Sequence, residues 1–254
     1  MNPTRTFLFA VCAVLIASCE KEIEEVKGPE LSTDGLILHM PFSGNANDSS
    51  TNASNGQSFG NLSYGRNRYF EPGKAVEFNG INSRIEIPAQ KFEGLSTFTM
   101  YMEFMPYTAS EMVLFSKTFF NIPPSGVMQQ SFNVIINHQQ GGTRFNMKKS
   151  GRCDDHNTNT AFGAATYGSV FPMADCWNYI AVTFDKNNIK IYLNGDLVGQ
   201  GTEAGASICG GASPMQVGAW WTGYGNYFRG KIDELRMYNK VLTEGEIKAL
   251  YKLN

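Results

Sequence analysis

Along most of the chain, hydrophobic residues recur at every second position, the period of a strand with one buried face. The clearest run is Trp177 to Val198. Ile180, Val182 and Phe184 fall on one face of a first strand, and Ile189, Ile191 and Leu193 on one face of a second, with Lys190 and Asn194 opposite. The link Asp185-Lys186-Asn187-Asn188 consists of turn-tolerant residues, and Asn194-Gly195 is the dipeptide favoured where both central turn residues need positive φ. The spacing therefore predicts three antiparallel strands. Leu36, Leu38, Met40 and Phe42 alternate in the same way, as do Phe98, Met100, Met102 and Phe104, then Val134 and Ile136. Short strands separated by Gly, Asn and Pro predict an all-β sandwich. The polar stretch from Asn45 to Tyr69 reads as a long ordered loop over one edge.

One helix is predicted, at the end. Thr243 and Glu246 have the spacing of a capping box, and Leu242 and Ile247 that of a hydrophobic staple, so the helix should start at Glu244. Its apolar positions, Ile247, Leu250 and Tyr251, would rest on the sandwich.

The chain starts with a different pattern. Arg5 precedes an apolar run from Phe7 to Ile16, far short of the ~20 residues that cross a bilayer, so residues 1–18 read as an export signal. Residues 19–33 read as a flexible tether, charged and interrupted by Gly28-Pro29. The whole chain has a formal charge of −2, and residues 19–30 alone hold five Glu against two Lys, which leaves the body near neutral. Such a body lacks the basic field that nucleic acid requires. With 42% hydrophobic and 13% aromatic residues in a chain of 254, residues 34–254 suffice for one core and one domain.

Several segments carry a family resemblance. Trp177 opening the meander with its Tyr192-Leu193-Asn194-Gly195 turn, the stretch Phe42 to Ser50, the pair Val76 to Gly80 and Ile85 to Pro88, and Gly230 to Leu242 resemble the laminin-G-like jelly rolls of the concanavalin A-like lectin and glucanase superfamily. The resemblance spans roughly residues 34–254. It implies a two-sheet antiparallel jelly-roll sandwich with a short C-terminal helix, a scaffold shared by glycan binders, protein binders and some enzymes. Ile16-Ala17-Ser18-Cys19 resembles a bacterial lipobox, which implies that Cys19 is acylated and held at a membrane. The acidic residues after Cys19 resemble the signal that sends Bacteroidetes lipoproteins to the outer leaflet of the outer membrane. The alternative is a solvated spacer on a periplasm-facing lipoprotein.

If Leu235 and Met237 point into the sandwich, alternation puts Asp233 on the same side, where a carboxylate needs partners. Many relatives hold a structural Ca²⁺ with a last-strand Asp and the N-terminal loop. The resemblance thus implies calcium on Asp233, with Asp48 and Asn47 as further oxygen ligands; the alternative is an Asp satisfied by backbone N–H groups. With Cys12 in the signal and Cys19 acylated, Cys153, Cys176 and Cys209 remain, enough for one disulfide. Cys153 with Cys176 would close the polar loop between two strands. Cys176 with Cys209, or three reduced thiols, are the alternatives.

Catalytic patterns are missing. His39, His138 and His156 have no metal-ligand spacing, and there is no Cys-x-x-Cys, phosphate loop or nucleophile elbow. Retaining glucanases of the resembled superfamily carry alternating acidic residues on one strand. The nearest match, Glu20-Lys21-Glu22-Ile23-Glu24, lies in the tether, and Asp233-Glu234 are adjacent and expected on opposite faces. No enzymatic activity is expected.

The aromatic loop from Gly218 to Phe228 is the strongest site candidate. Trp220, Trp221, Tyr224 and Tyr227, spaced by Gly, offer flat rings to sugar faces. Phe119 to Gln130 and Arg152 to Val170 are expected as further loop walls, with Arg152, His156, Asn157 and Tyr167. The resulting expectation is a surface-anchored lipoprotein with a carbohydrate-binding, lectin-like domain. A protein-binding or adhesin-like module is the alternative and a glycan-active hydrolase or lyase the third reading. The expected partners are a glycan or cell-surface protein and, through the lipid, a membrane.

Overall fold

The computed structural model describes residues 33–120, 128–147, 164–220 and 225–253. Among these residues the chain forms two antiparallel sheets packed face to face. Sheet A runs β13 (Asp196–Thr202), β12 (Asn188–Leu193), β11 (Asn178–Asp185), β6 (Thr97–Pro106), β15 (Arg229–Tyr238), β4 (Ala75–Asn79), β3 (Ser63–Gly65), with β1 (Leu36–Met40) also paired to β15. Sheet B runs β10 (Ala164–Gly168), β9 (Thr143–Met147), β8 (Met128–Ile136), β7 (Met112–Phe120), β14 (Met215–Val217), β5 (Arg84–Ile87), β2 (Gln57–Phe59). The sequence-predicted jelly-roll sandwich is the observed architecture.

The meander forms as its alternation requires. Ile180, Val182, Phe184, Ile189, Ile191 and Leu193 all enter the core between the sheets. Asn194 and Gly195 have φ of 53° and 90°, the left-handed pair that lets β13 fold straight back on β12. Phe78, Phe98, Phe104, Phe115, Phe132 and Phe145 are among the largest fully buried side chains of that core.

Strict alternation fails at several bulges, two of them on β15 and its neighbour β1. Register shifts between Asp233 and Arg236, where Glu234 takes φ of 50°. The extra residue changes the parity of β15. Ile232, Leu235 and Met237 point into the core, whereas Asp233 pairs with Glu103 and Arg236 with Tyr101 on the outer face of sheet A. The expectation that Asp233 faces inward with Leu235 is therefore corrected. A second shift, between Leu36 and Leu38, separates Leu36 from the core-facing Leu38 and Met40.

The stretch from Asn45 to Tyr69 is more structured than expected, since it contributes β2 and β3 at the sheet edges. Asp48 organises it from inside. Its oxygens accept hydrogen bonds from the backbone N–H groups of His39, Ser50 and Ser54 and from Ser50 Oγ, at 2.7–2.9 Å.

The helix α1 (Glu244–Leu253) starts where its cap predicts. The Thr243 N–H donates to Glu246 Oε2 at 2.7 Å, and the Glu246 N–H to Thr243 Oγ1 at 3.2 Å. Leu242, Ile247 and Leu250 pack on Tyr101, Tyr179, Ala181, Tyr192 and Tyr238, covering part of the outer face of sheet A. Among the described residues no helix is long and apolar enough to cross a membrane.

Candidate functional site

The outer face of sheet B carries an unusual row. Register places Gln57, Glu86, Gln216, Ser116, Asn133, Asn146 and Ala165 side by side across all seven strands. Cross-strand partners share a face, so six polar side chains in succession point away from the core. Ser116, Asn133, Asn146 and Gln216 are nevertheless buried. Buried amides need hydrogen-bond partners, and leaving one unmet costs about 1–3 kcal/mol. Asn146 Oδ1 accepts from Arg144 Nε at 2.9 Å, but Asn146 Nδ2 and Gln216 Oε1 find no partner among the described residues. One carboxylate sits in the row. Glu86 is held by Arg84 Nε at 2.8 Å, and the Arg84 guanidinium lies 4.3 Å over the Phe59 ring.

A second row, Val113, Ile135, Arg144 and Tyr167, runs beside the first. Its apolar half is covered by Trp220, only 9% exposed, which packs on Val113 and Ile135. Trp220 is fixed through its backbone. Its carbonyl accepts from Ser116 Oγ at 3.0 Å and Thr118 Oγ1 at 2.9 Å, and Ser116 Oγ also lies 2.8 Å from the Ala219 carbonyl.

The polar half ends in a small cluster. The Tyr167 ring lies 5.3 Å from His138, and its centroid 5.7 Å from the Arg144 guanidinium. His138 Nε2 is 3.1 Å from Arg144 Nη1 and 3.7 Å from Glu111 Oε2. Burial, with Arg144 adding to it, lowers the His138 pKa against the opposing pull of Glu111, so the ring is neutral at pH 7. Glu111 also accepts from Asn226 Nδ2 at 3.0 Å, tying the start of β7 to the segment before β15. The face thus combines aromatic surface, unmet amides and a mixed-charge rim.

Comparison with known proteins gives this arrangement a family. Residues 79–248 match the laminin-G-type family Laminin_G_3 of the concanavalin A-like lectin/glucanases superfamily. The chain belongs to that family. No curated protein matches it closely enough to count as a relative. Among solved structures, domain 4 of AbnA, a GH43 extracellular arabinanase from Geobacillus stearothermophilus in complex with arabinotriose, is similar with a TM-score of 0.63 and 20% identity. That match covers 85% of this chain and 97% of that one. The binding domain of Paraclostridial Mosquitocidal Protein 1 has a TM-score of 0.60 at 17% identity, with 85% of this chain and 52% of that chain covered. Trypanosoma rangeli sialidase in complex with the inhibitor DANA gives 0.55 at 14% identity, with 87% and 33% covered. At these identities the likeness establishes the fold alone.

In this laminin-G-type sandwich the expected site residues separate. Trp220 and Tyr167 belong to the outer face of sheet B, but Trp220 is its buried floor and Tyr167 sits in strand β10, so neither is a ring on an exposed loop. Tyr227 is half-buried beside Asn226. Trp221, Tyr224, Arg152, His156 and Asn157 lie outside the described residues, as do the tether and Cys19. The row from Gln57 to Asn146 was not foreseen; only the registers of seven strands bring these residues together.

The residues expected to hold calcium do not line one common cleft. Asp48 spends both oxygens on loop N–H and O–H groups, and Asn47 is exposed with its own N–H on Asn45 Oδ1. Asp233 lines a cleft of about 180 Å³ with Glu103, Glu234, Arg68 and Lys74, and neither Asn47 nor Asp48 lines it. Glu234 is engaged by His39 Nε2 at 2.8 Å and by Arg236 Nη2 at 2.6 Å. The bulge also brings Asp233 and Glu234 to one cleft, correcting the expectation of opposite faces. Burial first, then the charges of Glu234 and Glu103, push the Asp233 carboxyl up to about 8.

The cysteine pairing is corrected as well. Cys176 is free and exposed, so Cys153 with Cys176 is not the bridge, and neither is Cys176 with Cys209. Cys209 is the disulfide-bonded one, its partner outside the described residues. The physical reason is position. Cys176 sits in the exposed turn before β11, whereas Cys209 is buried against sheet B, its N–H donating to Ser131 Oγ at 2.9 Å.

Proposed function

We propose that this protein is a non-catalytic carbohydrate-binding module and that the outer face of sheet B is its binding surface. The observation that carries the reading is the polar row across seven strands, in which Gln216 Oε1 and Asn146 Nδ2 have no partner among the described residues, beside Trp220 and Tyr167. Amides that lack protein partners are matched by hydroxyls, and sugar rings supply hydroxyls along their edges with apolar faces for aromatic contact. The arabinotriose bound to the similar arabinanase domain is consistent with that chemistry.

The absence of catalysis is part of the proposal. Glycoside hydrolysis uses two carboxyl groups flanking the scissile bond, and this row holds one, Glu86, engaged by Arg84. We further propose that Cys19 carries the lipid that anchors the module at the outer membrane, facing the exterior, as the lipobox resemblance implies.

A glycan array probed with the full chain tests the reading. Retention on neutral oligosaccharides, lost in Gln216→Leu, is the expected result. Retention on no glycan would refute it and favour the protein-binding alternative.

A further inference from the structure

The polar end of sheet B carries a titratable group. His138 lies in the connection between β8 and β9, and two N–H donors converge on its ring. The Gln140 N–H points at Nδ1 at 3.2 Å and Arg144 Nη1 lies 3.1 Å from Nε2. A neutral imidazole has one lone pair for these two donors, and an imidazolium has none. An acceptor within reach of a charged ring is Glu111 Oε2, 3.7 Å from Nε2.

The same arginine reaches into the binding row. Arg144 Nε donates to Asn146 Oδ1 at 2.9 Å, and Asn146 Nδ2 is one of the two amide groups with no partner among the described residues. The guanidinium is planar and its donors form a rigid fork, so one orientation of one plane serves both the histidine and the asparagine. Tyr167 adds a second link, its ring 5.3 Å from His138 and its centroid 5.7 Å from the guanidinium. His138, Arg144, Asn146 and Tyr167 therefore hold one joint arrangement.

Charge decides whether that arrangement lasts. The groups facing His138 are Glu111, just before β7, Arg144 on β9 and Tyr167 on β10. With the ring neutral, Arg144 keeps its place beside Nε2. Protonation sets two cations 3.1 Å apart and leaves the ring without a lone pair. The imidazolium then turns to Glu111 Oε2, while Glu111 Oε1 stays on Asn226 Nδ2, and Arg144 withdraws from the asparagine it positioned. Burial first, then Arg144 against the opposing pull of Glu111, holds the titration of His138 below the ordinary ~6.5 of an imidazole. The neutral arrangement thus prevails at pH 7 and the charged one in acid.

We propose that His138 is a proton switch for the sugar-binding surface of sheet B, which holds saccharide near neutral pH and releases it in acid. The inference rests on the reading of that surface given above. Asn146 Nδ2 and Tyr167 meet the ligand only while Arg144 is in place, so binding requires the uncharged ring. The coupling is reciprocal. Saccharide bound to the neutral arrangement lowers the pH at which His138 takes up its proton, by the same factor as the proton weakens the saccharide.

The test follows the isotope-labelled full chain by NMR from pH 7.5 to pH 5, first free and then with arabinotriose, xylotriose, maltotriose or mannotriose. In the free protein the Arg144 Nε and Asn146 Nδ2 signals should move with the midpoint of the His138 ring. His138→Gln keeps a hydrogen-bond acceptor without a titrating ring and should hold both signals still. Glu111→Gln removes the waiting carboxylate and should push the midpoint to lower pH. A trisaccharide that binds at pH 7.5 should bind about tenfold more weakly at pH 5, the scale of one lost hydrogen bond, and equally well at both in His138→Gln. Arg144 and Asn146 signals indifferent to the titration of His138 would overturn the switch, whatever binds. So would a wild-type affinity unchanged at pH 5, which leaves the binding reading intact. Failure of all four sugars at pH 7.5 would instead contradict that reading, and the shared midpoint in the free protein then decides the switch alone.

Discussion

Thr118 Oγ1 donates to the Trp220 carbonyl at 2.9 Å, and that bond fixes a ring that the sequence marks for sugar stacking into the floor of sheet B. The ring itself rests on Val113 and Ile135. Truncation of a buried aromatic leaves a cavity, and the usual cost is about 3–5 kcal/mol. Trp220→Ala should accordingly lose stability on that scale in urea denaturation. A loss below ~0.5 kcal/mol, typical of surface positions, would mean that the ring is not floor.

The Asp233 carboxyl should make stability fall with pH. An unfolded Asp titrates near 3.9, whereas burial and the charges of Glu234 and Glu103 hold Asp233 near 8 in the folded protein. The folded state thus binds this proton more tightly. Its contribution is complete below about pH 4 and is lost as pH rises through about 8. Glu234 runs the other way, its pKa lowered by His39 and Arg236 against the cost of burial, so its contribution fades only on acidification. Between pH 5 and 9 the Tm should therefore drop, and Asp233→Asn should flatten the curve. A variant with the same slope as the wild type would show that Asp233 is not the group responsible.

Asp48 should be a structural residue. Four hydrogen bonds converge on its carboxylate, and Asp48→Ala strands three backbone N–H groups, so a loss of about 2–4 kcal/mol is expected. The loss should be the same in calcium and in chelator. A wild-type Tm that falls on adding EDTA would restore calcium to the account.

The cysteines give a clean contrast. Removing a native disulfide commonly costs about 2–4 kcal/mol, so Cys209→Ser should lower Tm markedly under non-reducing conditions. Cys176→Ser, at an exposed free thiol, should change stability by less than ~0.5 kcal/mol. Equal effects would contradict the assignment.

The parts of the fold legible from sequence were those set by local chemistry. Ile180 to Leu193 alternate without interruption, Asn194-Gly195 demands its turn, and Thr243 with Glu246 starts its helix, so each could be placed from neighbouring residues alone. Parity was lost wherever a bulge intervened. Nothing in Ile232-Asp233-Glu234-Leu235 announces that Glu234 takes a left-handed φ, and one extra residue moves Asp233 to the other face. Lys117 escaped notice for a related reason. It pairs with the core residues Met215 and Phe132, yet its Nζ escapes to the carbonyls of Gly211 and Ser213 at 3.0 and 2.6 Å, partners 94 and 96 residues away. The polar row on sheet B is the extreme case. Each member sits unremarkably in its own strand, and only the pairing of seven strands makes them one surface.

Calorimetric titration of the full chain with an oligosaccharide retained on a glycan array bears most directly on the claim that this row binds sugar. Gln216→Leu removes an amide oxygen, and Asn146→Leu an amide N–H group, with no partner among the described residues, but Asn146→Leu also strands Arg144 Nε. Each should weaken Kd about tenfold, or ~1.4 kcal/mol, and Gln216→Leu should do so with Tm unchanged or slightly raised, since an unsatisfied buried amide oxygen does not stabilise the fold. Unaltered affinity in both variants would contradict the account.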